Sequence, residues 1–245
     1  MNQAIALFLI ALLSGSVVFF IKSSQKIVFR PALVFSGAFF LSITILHILP
    51  EIYLSNNSGH VGIFVVAGYF LQQVIEMFTS GVEHGHLHPR EHIIHNHKPA
   101  FGLVFGLFVH ALLEGSILLH GYHQHSDHAG NSVFYGLALH KATAAFALMT
   151  VLVCQFKNLK TVWVLLILFS VASPLGYFLS DFLLKSDVIS SYALNVIYAL
   201  VAGNFLHIST TIFFESSPGH EHSKRNFIAA LLGALLAIAG EWLNS

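Results

Sequence analysis

Long apolar runs separated by short polar stretches set the plan of this chain. A membrane-crossing helix needs about 20 mainly apolar residues. Eight runs approach that length, at 4–21, 32–53, 60–79, 100–120, 131–154, 161–183, 189–213 and 226–243. The pattern predicts an all-α polytopic membrane protein of eight transmembrane helices, with residues 1–245 forming a single transmembrane domain. The connections are short except at 80–99 and 214–225. Met1-Asn2-Gln3 supplies no basic stretch and no small-residue cleavage site follows, so the first run reads as a spanning helix and not as a signal peptide.

Basic residues orient the runs. With the N-terminus outside, the inner connections hold Lys22, Lys26, Arg30, Arg90, Lys98, Lys157, Lys160, Lys224 and Arg225, and the outer ones hold only Lys185. Cytoplasmic loops attract Lys and Arg, so both termini are expected outside. The short loops, with no long extracellular domain, point to a bacterial inner membrane.

Composition sharpens the picture. Charged residues make up 9% and hydrophobic ones 56% of the chain, against roughly 25% charged in soluble domains. Eleven basic and eleven acidic residues balance, which leaves the lipid bilayer as partner and gives no reason to expect nucleic acid. Cys154 is the single cysteine, so an internal disulfide and a CxxC metal site are both excluded. The 17 histidines outnumber Lys and Arg together, and histidine is a ligand for borderline metals.

The ionisable residues inside apolar runs carry the chemistry, because charge at that depth is costly and usually marks a substrate or ion path. His110 and Glu114 lie one turn apart in the fourth run. At a rise of about 1.5 Å per residue, His110 sits roughly 15 Å from the inner end of the helix. The fifth run travels the opposite way and places His140 and Lys141 at matching depth. His110, Glu114 and His140 thus form a candidate metal set of two imidazoles and a carboxylate, suited to Zn²⁺, Fe²⁺ or Mn²⁺, with room for water as a further ligand. Lys141 is expected to pair with Glu114 when metal is absent. His47 and Glu51 on one face of the second helix, Glu76 in the third, and His207 and Glu215 in the seventh are candidates for an entry and exit relay. The loop histidines His84, His86, His88, His92, His95 and His97 form a candidate metal-receiving segment. His120, His123, His125, Asp127 and His128 form a second cluster on the outer side.

Two internal echoes are present. Gly106-Leu-x-x-His110 recurs as Gly136-Leu-x-x-His140, and Gly-Ala-Phe-Phe-Leu at 37–41 resembles Ala-Gly-Asn-Phe-Leu at 202–206. Both fit a 3+2+3 bundle of inverted halves, a pattern found in secondary transporters with a midplane site.

Several of these residues together resemble the ZIP family of divalent metal transporters. They are His47-Ile-Leu-Pro-Glu51, the histidine-rich loop, His110-Ala-Leu-Leu-Glu114-Gly115, His140-Lys141, Ser173-Pro174-Leu175-Gly176 and Ala202-Gly203-Asn-Phe-Leu. The resemblance implies eight helices, outward termini, uptake into the cytoplasm, and a metal site at His110, Glu114 and His140. It also implies alternating access, in which the first, fourth, fifth and sixth helices move against the other four. Many members carry an acid where Lys141 stands, a further ligand where Ala144 stands, and a polar residue where Ala111 stands. The pattern here is similar to the branch that keeps a single metal.

The expected protein is thus a transporter and not an enzyme, without a prosthetic group. Its cargo is Zn²⁺ first, with Fe²⁺, Mn²⁺ and Cd²⁺ as further candidates. A homodimer is compatible with the chain. The alternatives are a metal-binding membrane sensor and a membrane metalloenzyme. For the latter, the chain lacks HExxH and repeated His boxes at membrane depth.

Overall fold

The helices are long because the apolar runs contain few breakers, and because a backbone in lipid must satisfy its own hydrogen bonds. The computed structural model describes residues 2–20, 26–55, 60–79, 98–119, 127–186, 188–215 and 223–244. The histidines of the 83–97 loop and His120, His123 and His125 lie outside the described residues.

Among the described residues the elements are α1 (Asn2–Ser16), α2 (Lys26–Ile43), α3 (Leu49–Ser55), α4 (Val61–Thr79), α5 (Lys98–Ile117), α6 (Asp127–Gln155), α7 (Leu159–Lys185), α8 (Ser191–Glu215) and α9 (Lys224–Asn244), with no strand. A π turn at Thr44–Ile48 joins α2 to α3 as one rod, in which the Leu49 N–H donates to the Thr44 carbonyl. Pro50 follows directly. It has no N–H to continue the ladder, and the wider turn accommodates the break just ahead of it. Asn158 caps α7 by accepting a hydrogen bond from the Lys160 N–H at 3.0 Å.

Seven of these helical stretches are long and apolar enough to cross a membrane, and Phe101–Ile117 in α5 is a shorter apolar stretch. Many hydroxyls along them are satisfied within their own helices. Ser170 Oγ, for example, donates to the Leu166 carbonyl at 2.8 Å and Thr44 Oγ1 to the Phe40 carbonyl at 2.8 Å.

The helices pack most extensively as α4 with α8, α9 with α2, α5 with α7, and α1 with α6 and α7. Glycines let three of these pairs approach backbone to backbone, with Gly233 of α9 against the Phe35 carbonyl of α2 as one of them. A Cβ on Gly68 or Gly203 would overlap a carbonyl oxygen of the facing helix, that of Leu200 or Val65. Gly115 and Gly176 meet the carbonyls of Ser173 and Leu112 in the same reciprocal way. Small residues at such crossings are how membrane helices gain packing without a solvent-driven term.

Two large apolar cores result, beside a small cluster of Leu33, Val34, Ile208 and Ile212. One draws only on α1, α5, α6, α7 and the Phe156 connection, around Leu107, Leu148, Leu166 and Phe169. The other centres on α2, α3, α4 and α8, with Phe40, Tyr198 and Phe205 at its middle, and takes in parts of α1, α6 and α9 and the end of α5 at Ile117.

Candidate metal centre

Helix α5 places His110 and Glu114 on one face, and antiparallel α6 brings His140 and Lys141 against them. All four are about 1% exposed. His110 Nε2 lies 3.0 Å from Glu114 Oε1, and His140 Nε2 lies 3.5 Å from the same oxygen. One ligand atom from each residue lies within 4.8 Å of the other two, and among the described residues this is the sole His/Cys/Asp/Glu group that meets so closely. The close approaches are not aligned hydrogen bonds: both Nε2 atoms and Oε1 lack a hydrogen-bond partner among the described residues. Lone pairs converging without a proton shared between them are what a metal ion requires of its donors.

The second carboxylate oxygen has another partner. Lys141 Nζ donates to Glu114 Oε2 at 3.5 Å and sits 4.0 Å above the centre of the Phe169 ring. A buried ammonium without such partners would cost several kcal/mol, of order 3–5. The ring face contributes roughly 1–2 kcal/mol where water is excluded. One carboxylate therefore serves two sides, Oε1 toward the imidazoles and Oε2 toward the ammonium.

The other candidates do not join this group. His47, in the π turn, faces two carboxylates: Nε2 lies 3.5 Å from Glu51 Oε2 and Nδ1 3.2 Å from Glu241 Oε1 on α9. His207 Nε2 lies 2.7 Å from Glu76 Oε2, across the α4–α8 crossing. The Tyr69 ring stands edge-on to His207 at 4.7 Å, and Asn204 Nδ2 donates to Gln72 Oε1 at 2.8 Å on the same seam. Glu76 thus has a histidine partner inside the bundle and is not simply an acid reaching for water. Glu215 closes α8.

Glu241, Phe169 and Phe40 were not among the candidates legible in the sequence. A lone acid in the last apolar run was a signal for the first. The two phenylalanines gave none, because a ring in an apolar helix is indistinguishable from filler.

Comparison with known proteins identifies the family. The family profile described as "ZIP Zinc transporter" matches residues 83–239, more than half of the chain and including all four residues of the centre. Protein zntD of Dictyostelium discoideum is 26% identical over 171 residues, which cover 66% of this chain and 25% of that protein. The chain therefore spans about a quarter of the length of the curated relative it matches. On the family match, the chain belongs to the ZIP zinc transporter family.

Proposed function

We propose that this protein carries divalent transition-metal ions, Zn²⁺ foremost, across a membrane and into the cytoplasm by alternating access. The carrying observation is the meeting of His110, Glu114 and His140 within 4.8 Å at full burial. Two borderline nitrogens and one hard oxygen suit Zn²⁺ and its neighbours Fe²⁺, Mn²⁺ and Cd²⁺. Three protein donors leave a coordination position for water, which favours release. The core confined to α1, α5, α6 and α7 supports a unit that slides against the other helices.

An inverted repeat is supported by the pairing of helices. The packing of α4 on α8 and that of α9 on α2 are counterparts, as are those of α5 on α7 and of α6 on α1. The spacing from Gly68 to Glu76 equals that from Gly233 to Glu241. The positive-inside pattern supports outward termini and a cytoplasmic position for the 83–97 loop, where its histidines would receive the ion. In that topology the pairs His47–Glu51 and His207–Glu76, together with Glu215, form relay points toward the outer and inner sides. The membrane we propose is a bacterial inner membrane, with the chain working as one domain, alone or as a homodimer.

Purified protein in lipid vesicles tests this reading. We expect saturable Zn²⁺ uptake that exceeds that of Fe²⁺, Mn²⁺ and Cd²⁺, and that falls as the pH is lowered because protons compete for the same donors. Removing residues 83–97 should leave flux in place. Stoichiometric metal binding without flux would move the reading to a sensor.

Lys141 supports one metal per site, since its ammonium takes the second oxygen of Glu114. Lys141→Met removes a positive charge that repels the incoming ion. The expected result is about tenfold tighter Zn²⁺ binding, roughly 1.4 kcal/mol, with slower release. Equilibrium binding in detergent and the maximal uptake rate check the two halves separately.

A further inference from the structure

Metal-binding imidazoles are ordinarily held in orientation by a hydrogen bond from the ring nitrogen that does not bind the metal. The described residues supply no such bond here. Among the described residues, Nδ1 of His110 and Nδ1 of His140 are both buried without a hydrogen-bond partner. Packing must do the orienting.

The ring that packs on His140 comes from α2. Phe40 stacks on the imidazole with centroids 5.6 Å apart and planes 22° from parallel. His110 meets the same imidazole edge-on at 5.7 Å and 81°. Phe40 is itself fixed from the other side by Phe205 of α8, edge to face at 4.3 Å, and is 2% exposed. Gly136, one turn before His140, makes the seat: a Cβ there would stand 2.9 Å from Phe40 Cδ2.

We infer that Phe40 is the positioning residue of the metal site, orienting His140 by ring stacking where a hydrogen bond would otherwise serve. The inference rests on the reading of His110, Glu114 and His140 as the transport site. Because Phe40 belongs to α2 and His140 to α6, the orientation of the ligand depends on the register of these two helices. Metal affinity is thereby tied to the relative position of the two parts of the bundle.

The test compares Zn²⁺ uptake by vesicles carrying wild type, Phe40→Leu, Phe40→Tyr, Gly136→Ala and Glu114→Ala, with equilibrium Cd²⁺ binding in detergent. Removing an aromatic pair should raise KM and Kd together by about three- to tenfold in Phe40→Leu, with the maximal rate within about twofold. Phe40→Tyr keeps a ring in place and should stay near wild type. Gly136→Ala pushes the Phe40 ring off its seat and should reproduce the Phe40→Leu shift, and it decides the matter if Phe40→Leu cannot be purified. KM and Kd unchanged in both Phe40→Leu and Gly136→Ala, or Phe40→Tyr as impaired as Phe40→Leu, would overturn the inference. Glu114→Ala separates the two levels. If it abolishes flux while the Phe40 variants are normal, only the positioning role is lost; if it transports normally, the site reading goes as well.

Discussion

Replacing Glu114 with alanine should reduce Zn²⁺ uptake to the background of empty vesicles, a loss of at least about 100-fold. Glu114 is the sole acid of the cluster, and its Oε1 approaches both imidazoles at 3.0 and 3.5 Å. Removing a charged ligand from a desolvated site costs more than removing an ordinary polar group, roughly 2–4 kcal/mol. A second effect acts in the same direction. Lys141 would remain buried with its ammonium facing the site, now without the carboxylate that offsets it, and would repel the arriving ion. The same substitution should destabilise the fold by about 3–5 kcal/mol, since an uncompensated buried charge is left behind.

Those two consequences can be separated. The double variant Glu114→Ala with Lys141→Met removes both members of the pair, so its thermal stability should recover most of what Glu114→Ala loses. Its uptake should stay at background. Recovery of stability without recovery of flux would assign Glu114 to the transported ion and not merely to the folding of α5 against α6. Flux in either variant near that of wild type would remove Glu114 from the site.

The sequence made the centre legible through two simple regularities. The i,i+4 spacing of His110 and Glu114 put them on one face, and equal depth on antiparallel neighbours put His140 beside them. Both depend only on helix geometry, which hydropathy reveals well in a membrane protein. The all-α bundle was legible for the same reason. What stayed hidden was pairing between helices far apart in sequence. Nothing in the last apolar run says that Glu241 meets His47 across α9 and α2. The π turn before Pro50 is also invisible to periodicity, because one extra residue in a turn leaves the apolar run unbroken. The aromatic packing of Phe40 and Phe169 depends on which face of a largely apolar helix looks inward, and a largely apolar segment carries little record of that.

Gly115→Ala should be the most damaging of the single-methyl substitutions in α5, and Gly102→Ala on the same helix should be harmless. Both replace glycine by the best helix former, which alone would stabilise an isolated helix by about 1 kcal/mol. The surroundings decide the sign. At Gly115 the new Cβ would overlap the Ser173 carbonyl of α7, and backbone cannot move aside as a side chain can. The α5–α7 crossing would have to widen, which would also stretch the hydrogen bond from Ser173 Oγ to the Ala111 carbonyl, now 2.9 Å. Overpacking of this kind costs about 1–3 kcal/mol, and more where backbone is involved. In a chain of this size that lowers the melting temperature by roughly 2–12 °C. Because Gly115 follows Glu114 directly, uptake should fall with it. At Gly102 the nearest atom to a new Cβ is the Phe78 carbonyl oxygen at 3.9 Å, an ordinary van der Waals distance, so the intrinsic gain survives. Thermal unfolding of the two purified variants in detergent measures the difference. Equal melting temperatures would show that α5 and α7 do not cross at Gly115 as closely as the structure places them.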